Sequence, residues 1–510
     1  MTVPSRYLAL ALLLLLAGCG SVPFDYPREA SMARPANPDT SLGQLRQQWQ
    51  ARHGEDAGVI ALPEGLDGLG ARLLALDDAE QTVDAQYFLM KPDEAGRLFL
   101  GKLLQAADRG VRVRLLVDDV FTPRDDHTLT TLAYHPNIQV RLFNPLSRKA
   151  PSSLAMLWDF ARTNRRMHNK GFLVDGALAI VGGRNIAAEY FELKDDGNFD
   201  DFEVLLLGPV VDDLAESFDA FWNSPLSLPV EALGRRPEPE KLALWRQAMD
   251  EVVSGARPSA YARAVDNPLL RELAAGERKM EAARVRVVSD TPDKLIARRG
   301  QQEHQAAAVA LATAMAQAER EITIITPYFL PGPYTRSELA RLAAAGVRIR
   351  VITNSLASTN HVPVHAHYRK YRRELLRAGV ELYELRADRQ PGWEDAEPGS
   401  DRLTLHTKAF EVDGKTLVLG SLNVDPRSIE LNTELVLFIE SSAMSQRLLD
   451  GLDEELATLT WRLVINDNNL LRWHYEGADG HDIQRGEPGA SLWRRFQANL
   501  YRLLPIEGQL

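Results

Sequence analysis

The chain has 510 residues, 45% of them hydrophobic, and a formal net charge of −11. That length accommodates about two to three domains, and the acidic balance counts against a general nucleic-acid binder, whose affinity rests largely on basic contacts to phosphate. A single cysteine excludes disulfides within the chain, and beyond the first twenty residues no apolar run is long enough to span a bilayer.

The N-terminus reads as a leader. Arg6 precedes an apolar run from Tyr7 to Leu16, followed by Leu16-Ala17-Gly18-Cys19. A charged start, a short apolar stretch and small residues before a cut form the layout of a secretory signal over residues 1–18. The Leu-Ala-Gly-Cys end resembles the bacterial lipobox. That resemblance implies a lipidated Cys19 at the mature N-terminus and a protein anchored in the cell envelope, facing the periplasm. Residues 19–45, rich in Pro, Ser, Ala and Asn, read as a flexible tether.

A first α/β unit is expected over residues 46–225. It opens with the β-rich run Thr82 to Phe88, continues through a helical pattern from Leu98 to Ala107, and reaches a second strand after Gly110. The chain then passes a basic patch (Arg162, Arg165, Arg166) and reads His168-Asn169-Lys170-Gly171-Phe172-Leu173-Val174-Asp175. Residues i and i+2 of a strand share a face, so His168 and Lys170 on one strand would enter one cleft. The turn Gly182-Gly183-Arg184-Asn185 follows. Asp201 and Glu203 then alternate with Phe202 ahead of an apolar run, after a polar loop around Lys194 to Asn198 that reads as an insertion. Residues 226–282, helix-biased and charged, read as a connecting segment.

Residues 283–460 repeat the first unit at an offset near 240, too long for a solenoid and consistent with whole-domain duplication. Ile322 to Phe329 matches the first strand, Ser337 to Ala345 the helix, and Gly346 to Thr353 the second strand. His406-Thr407-Lys408-Ala409-Phe410-Glu411-Val412-Asp413 matches the motif, and Gly420-Ser421-Leu422-Asn423 the turn. The His-to-Asn spacing is 17 residues in both copies. Glu434 falls where an acid would share the motif's face, paired by alternation with Glu203. Residues 461–510, with several Trp, Arg and Leu, read as a terminal extension that either docks on the core or rests on a membrane surface. Strand alternating with helix predicts α/β units, each a sheet covered by helices.

Two His, two Lys and two Asn on one frame predict a single site built from two halves, suited to phosphodiester chemistry without a metal. One neutral imidazole attacks phosphorus and one imidazolium protonates the leaving alkoxide. Lys170, Lys408, Asn185 and Asn423 supply charge and donors for the phosphoryl oxygens. Glu203 and Glu434, with Asp201 behind them, are expected to fix each imidazole's tautomer and raise its pKa. A bell-shaped rate profile centred within roughly pH 6–8 follows. Lys is not a usual ligand for Zn or Mg, and no further His/Cys/Asp cluster completes a shell, so neither a metal nor another cofactor is expected. Asp175 and Asp413, each before a glycine, read as turn residues.

The doubled His-x-Lys-x4-Asp phrase resembles the phospholipase D superfamily over about residues 56–461. The resemblance implies two tandem α-β-α sandwich domains related by a pseudo-two-fold axis, with one active site between them. It also implies a covalent phosphohistidine, with His168 as nucleophile and His406 as acid and base, or the reverse. Asp84 to Phe88, Leu115 to Asp119, Thr326 to Gly332 and Thr353 to Thr359 resemble the bacterial cardiolipin synthases, the C-type branch in particular. That branch implies transfer of a phosphatidyl group between phospholipids, phosphatidylglycerol and possibly phosphatidylethanolamine; the chain itself is expected to be a monomer that does not act on nucleic acid. A phospholipase D-type hydrolase, acting on phospholipids or, second to them, on nucleic acid, is the alternative. Tyr87, Tyr328, Asp118 and Asn354 within those phrases are candidate substrate contacts. His365, in the run Asn360 to Tyr368, could bind a glycerol head group or belong to a solvated loop.

Overall fold

The computed structural model describes residues 22–510 apart from 122–126, 150–155, 157–158, 195–196, 235, 255–259, 276, 388–403 and 478–479. The leader and Cys19 lie outside the described residues, as do two residues of the loop around Lys194 to Asn198.

Two units of the same topology are joined edge to edge into one sheet. In the first, strands Thr82–Tyr87, Arg112–Asp118 and Ile138–Phe143 run parallel. Gly171–Val174, Leu178–Gly182, Glu203–Leu207 and Ala57–Leu62 then add antiparallel on the side of the first of these. In the second, Glu321–Ile325, Arg348–Asn354 and Glu381–Leu385 run parallel. Ala409–Val412, Thr416–Gly420, Leu435–Glu440 and Glu281–Ser289 follow in the same order. The units meet where Ala57–Val59 pairs with Glu281–Ala283, strand against equivalent strand, as a two-fold axis requires. The duplication is therefore structural as well as sequential: two tandem α-β-α sandwiches.

Local sequence explains the layers. Runs such as Leu178-Ala179-Ile180-Val181 are apolar on both faces, as strands covered on both sides must be. The expected helices form as Glu94–Asp108 and Pro333–Ala344. Each is followed by a glycine at positive φ, Gly110 (100°) and Gly346 (93°), a turn that L side chains rarely adopt. Helices Gly65–Asp78 and Glu94–Asp108 cover the outer face of the first sheet. Val210–Trp222 and Ser442–Leu459 lie over the opposite, inner faces, whose side chains merge into one apolar cluster spanning both units (Val204, Leu206, Leu214, Leu417, Leu437, Leu452).

The flanking segments differ from expectation at the N-terminal side. From Arg28 onward the segment read as a flexible tether is bonded along the first unit. Ala33 N donates to Asp219 Oδ2 at 2.7 Å, Arg114 donates to Ser31 O at 2.8 Å, and helix Ser41–His53 follows. Fixed carbonyls and buried acids on the first unit supply partners that a composition count cannot see. The connecting segment forms helices Glu240–Val253, Ala260–Val265 and Pro268–Ala274, and the apolar side chains Leu242, Met249, Ala260 and Ala264 join the first unit's core. After the second unit, strands Thr460–Ile465, Leu471–Gly477 and Gly480–Gln484 extend its sheet, and helix Leu492–Tyr501 and a short 3-10 helix Glu507–Gln509 follow. Among the described residues no helix is long and apolar enough to cross a membrane.

Candidate active site

His168 and Lys170 sit in the extended connection just ahead of strand Gly171–Val174, and His406 and Lys408 just ahead of Ala409–Val412. Each connection is stitched to the other unit. His168 N donates to Thr433 O at 3.0 Å, and Thr433 N donates back to Arg166 O at 3.0 Å. In the mirror contact, Thr404–Leu405 runs parallel to Phe199–Asp200, and His406 N donates to Asp200 O at 2.6 Å. The residue after each stitch is the acid. Glu434 Oε2 lies 2.9 Å from His168 Nδ1, and Asp201 Oδ2 lies 2.6 Å from His406 Nδ1. Each motif histidine is therefore oriented by a carboxylate of the opposite unit, and Nε2 is the atom left to face a substrate.

Both histidines, both lysines and both acids are buried. Lys170 Nζ donates to His168 O at 2.6 Å, and Lys408 Nζ makes the matching bond to His406 O. Lys408 Nζ is also 2.7 Å from His406 Nδ1. A neutral imidazole protonated at Nδ1 donates to Asp201 and cannot also accept from lysine, so the two neighbours compete for one nitrogen. Burial, reinforced by Lys408, pulls His406 down to about 3 despite Asp201. Burial also holds His168 below the usual imidazole value, outweighing Glu434. The expected rise in histidine pKa is not found: desolvation favours the neutral ring, and the lysines repel its charge. Burial likewise brings Lys170 down to about 7 and Lys408 to about 8. Lys408 acts on His168 and Lys170 acts on His406, so the two motifs share one electrostatic site.

Glu203 is the main correction to the sequence reading. It points away from the histidines into a buried bidentate pair with Arg72, at 2.6 and 2.7 Å. Strand register explains the exchange. Gly182 pairs with Glu203, whereas its repeat equivalent Gly420 pairs with Val436, so the counterpart of Glu434 is Asp201, two residues earlier. Burial pushes the Asp201 carboxyl up, but Lys408 and His406 outweigh it and hold the group below the usual carboxylate range. Glu434 is lowered in the same way by His168 and Lys170, is bonded by Ser421, and takes its backbone position from Asp290 Oδ2, 3.0 Å from its N–H.

Other candidates have bracing roles. Asp118 accepts from Met167 N at 3.0 Å and from Arg166 Nε at 2.9 Å. Asn354 bonds both Leu405 N (3.1 Å) and Leu405 O (2.9 Å). They end equivalent strands and clamp the residue before each histidine. Tyr87 is turned into the core, its hydroxyl accepting from Arg72 at 2.9 Å. The neighbouring Phe88 borders the site instead, its ring 4.9 Å from that of His168. Tyr328 does reach the site, 6.4 Å from the His406 ring. His365 is buried against Arg372 at 2.8 Å, in helix Val362–Tyr368, and does not line the cleft.

Asn185 donates to Tyr190 Oη at 2.9 Å and accepts from Leu89 N at 3.1 Å, while Asn423 Oδ1 lies 3.4 Å from Thr326 Oγ1. Asp175 and Asp413, at φ 50° and 60°, accept backbone N–H groups of residues 80–82 and 319–321, closing the turn behind each motif. Phe199, stacked on His406 with centroids 5.1 Å apart, and Tyr190, at 5.1 Å, escaped the sequence reading. The alternation of Phe199 with Asp201 was the available signal. Among the described residues no three His, Cys, Asp or Glu side chains are grouped so as to hold a metal ion.

A family model described as "Cardiolipin synthase, PLD-like domain" matches residues 73–222 and 311–456. The chain is 37% identical over 467 residues to cardiolipin synthase C of Escherichia coli (strain K12), covering 90% of this chain and 97% of that protein. It is 27% identical over 386 residues to cardiolipin synthase B of the same strain, covering 75% and 76%. Among solved structures, phosphatidylserine synthase of Haemophilus influenzae Rd KW20 matches with a TM-score of 0.55 at 14% identity, over 91% of this chain and 100% of that one, a likeness of fold alone.

Proposed function

The chain belongs to the phospholipase D-like family of cardiolipin synthases, and on that footing we propose that it makes cardiolipin by phosphatidyl transfer through a phosphohistidine. One observation carries the reading: two buried imidazoles, each held by a carboxylate of the opposite unit, with a buried lysine beside each. His168 Nε2 attacks phosphorus of phosphatidylglycerol, and the P–O bond to the head-group glycerol breaks as His406 gives that oxygen a proton. A hydroxyl of a second phospholipid then gives its proton to His406 and attacks phosphorus, and the P–N bond breaks to restore His168. Lys170 and Lys408 neutralise the phosphoryl oxygens throughout. The order of the two histidines follows the family resemblance. The acid step needs a charged imidazole, and the entering phosphodiester anion favours that charge by offsetting burial. No step requires a metal.

The leader adds a location. A lipidated Cys19 would hold the site beside its substrate at the periplasmic face of the envelope. Labelling cells with a fatty-acid analogue should mark the wild-type protein and not Cys19→Ser; equal labelling of both would refute the anchor.

The activity is tested by supplying phosphatidylglycerol, with and without phosphatidylethanolamine, in the presence of a chelator. Cardiolipin and free glycerol are expected. Phosphatidic acid alone would make the protein a hydrolase, and loss of turnover to the chelator would refute the metal-free mechanism. When wild-type turnover is quenched in alkali, acid-labile label from the lipid phosphate should be found on His168; label on His406 instead would reverse the roles.

A further inference from the structure

The C-terminal helix Leu492–Tyr501 has no place in the mechanism, yet it exposes a run of large apolar side chains. Ser491 caps it, accepting from Arg494 N at 3.2 Å. Ala498 packs inward against Ala366 and Leu356. Facing outward are Leu492, Trp493, Phe496 and Leu500, continued by Leu503 and Leu504, with Leu492 85% and Leu503 76% exposed. Spacings of three and four residues put them in one stripe. A run of large apolar side chains this concentrated marks an interaction surface rather than ordinary scatter.

Charge identifies the partner. Residues 485–504 hold four arginines (Arg485, Arg494, Arg495, Arg502) against one acid, Glu487, a net charge of +3 by subtraction in a chain of −11. An apolar stripe flanked by arginines in an otherwise acidic protein suits an anionic lipid surface. Attachment points the same way. Arg494 donates to Leu356 O at 2.9 Å and Thr359 O at 2.8 Å. The next residue, Asn360, accepts from Tyr328 Oη at 3.1 Å, and Tyr328 adjoins His406. His367 approaches Tyr501 O at 3.1 Å, and Glu487 pairs with Arg372 at 2.7 Å. The helix is thus bolted to the segment that forms one rim of the site. Across the cleft, Phe121 is 57% exposed and packs edge-on to Phe88, beside His168.

We propose that helix Leu492–Tyr501 and the turn to Leu504 insert shallowly into an anionic bilayer, seating the mouth of the site on the lipid surface. The proposal rests on the phospholipid reading of the site, and it is independent of any anchor at Cys19. His365 and His367 then have a defined task, fastening the C-terminal extension to the second unit.

The chain's single cysteine allows a local test. In full-length Cys19→Ser, a polarity-sensitive fluorophore is attached at Phe496→Cys, at Leu503→Cys, or at the remote Ser254→Cys. On adding phosphatidylglycerol vesicles, the label at 496 and 503 should brighten several-fold, shift to the blue, and be quenched by lipid-borne quencher, while 254 stays unchanged. No response at 496 and 503 while the protein co-sediments with vesicles would overturn the proposal. A response to protein concentration without vesicles would overturn it in favour of a contact between copies. Exposed positions tolerate substitution, so Trp493→Glu/Phe496→Glu/Leu503→Glu should fold. It should lose about tenfold or more of bilayer turnover while keeping turnover of a dispersed short-chain phospholipid; equal loss on both would overturn the proposal. Failure of the wild type on every phospholipid would instead reject the function, and the label would still report on the helix.

Discussion

At the scale of single residues, the site separates two carboxylates that alternation treats as equals. Asp201 contacts His406, whereas Glu203 neutralises Arg72 in the core. Asp201→Asn keeps the shape but removes the charge that fixes the tautomer, so turnover should fall about 10²–10⁴-fold with little change in melting temperature. Glu203→Gln leaves a buried guanidinium with half its partner, and a loss of about 3–5 kcal/mol is expected in denaturant unfolding. Equal effects of the two on melting would contradict the assignment. The histidines carry a pH prediction. Burial lowers both imidazoles and both lysines in the free enzyme, so protons leave these groups at lower pH than in water. An anionic phosphodiester raises all four. The optimum of kcat/KM, which reports the free enzyme, should therefore lie at lower pH than the optimum of kcat, which reports the complex. Coincident optima would show that the bound anion does not shift these groups.

At the scale of elements, what the sequence disclosed and what it hid have the same cause. Helices ended by Gly110 and Gly346, and motifs followed by equal turns, repeat at fixed distance and can be aligned without a structure. A strand slipped by two residues keeps every side chain on its face, so period two cannot tell Asp201 from Glu203; only the ladder between Leu178–Gly182 and Glu203–Leu207 does. Tyr87 and Phe88 are adjacent, hence on opposite faces, and the sequence does not say which face meets the cleft. His365 and His367 looked like a head-group loop because their partners, Glu487 and Glu507, lie more than a hundred residues away. Asp118 and Asn354 show how strand ends aim the chemistry. Asn354→Asp would set a carboxylate against Leu405 O in place of an amide donor. It should lower kcat by about tenfold or more through misplacement of His406, with KM nearly unchanged. A change confined to KM would mean that Asn354 touches substrate after all.

At the scale of the whole molecule, the crossing of acids and histidines makes the two units one catalyst. Neither half holds a complete His–acid pair: His168 needs Glu434, and His406 needs Asp201. The halves are held in register by the pairing of Ala57–Val59 with Glu281–Ala283 and by an apolar cluster drawn from both inner faces. Such a seam, buried and ladder-bonded, does not open to exchange partners between molecules without exposing its core. A full chain carrying His168→Ala and a second carrying His406→Ala should therefore each be inactive, and their mixture should stay inactive even after long incubation. Recovery of about a quarter of wild-type turnover after unfolding and refolding the mixture, but none without it, would show that the halves can pair between chains yet do so only from the unfolded state. Recovery on simple mixing would mean that the seam is dynamic, and the site would then have to be described as one shared between copies.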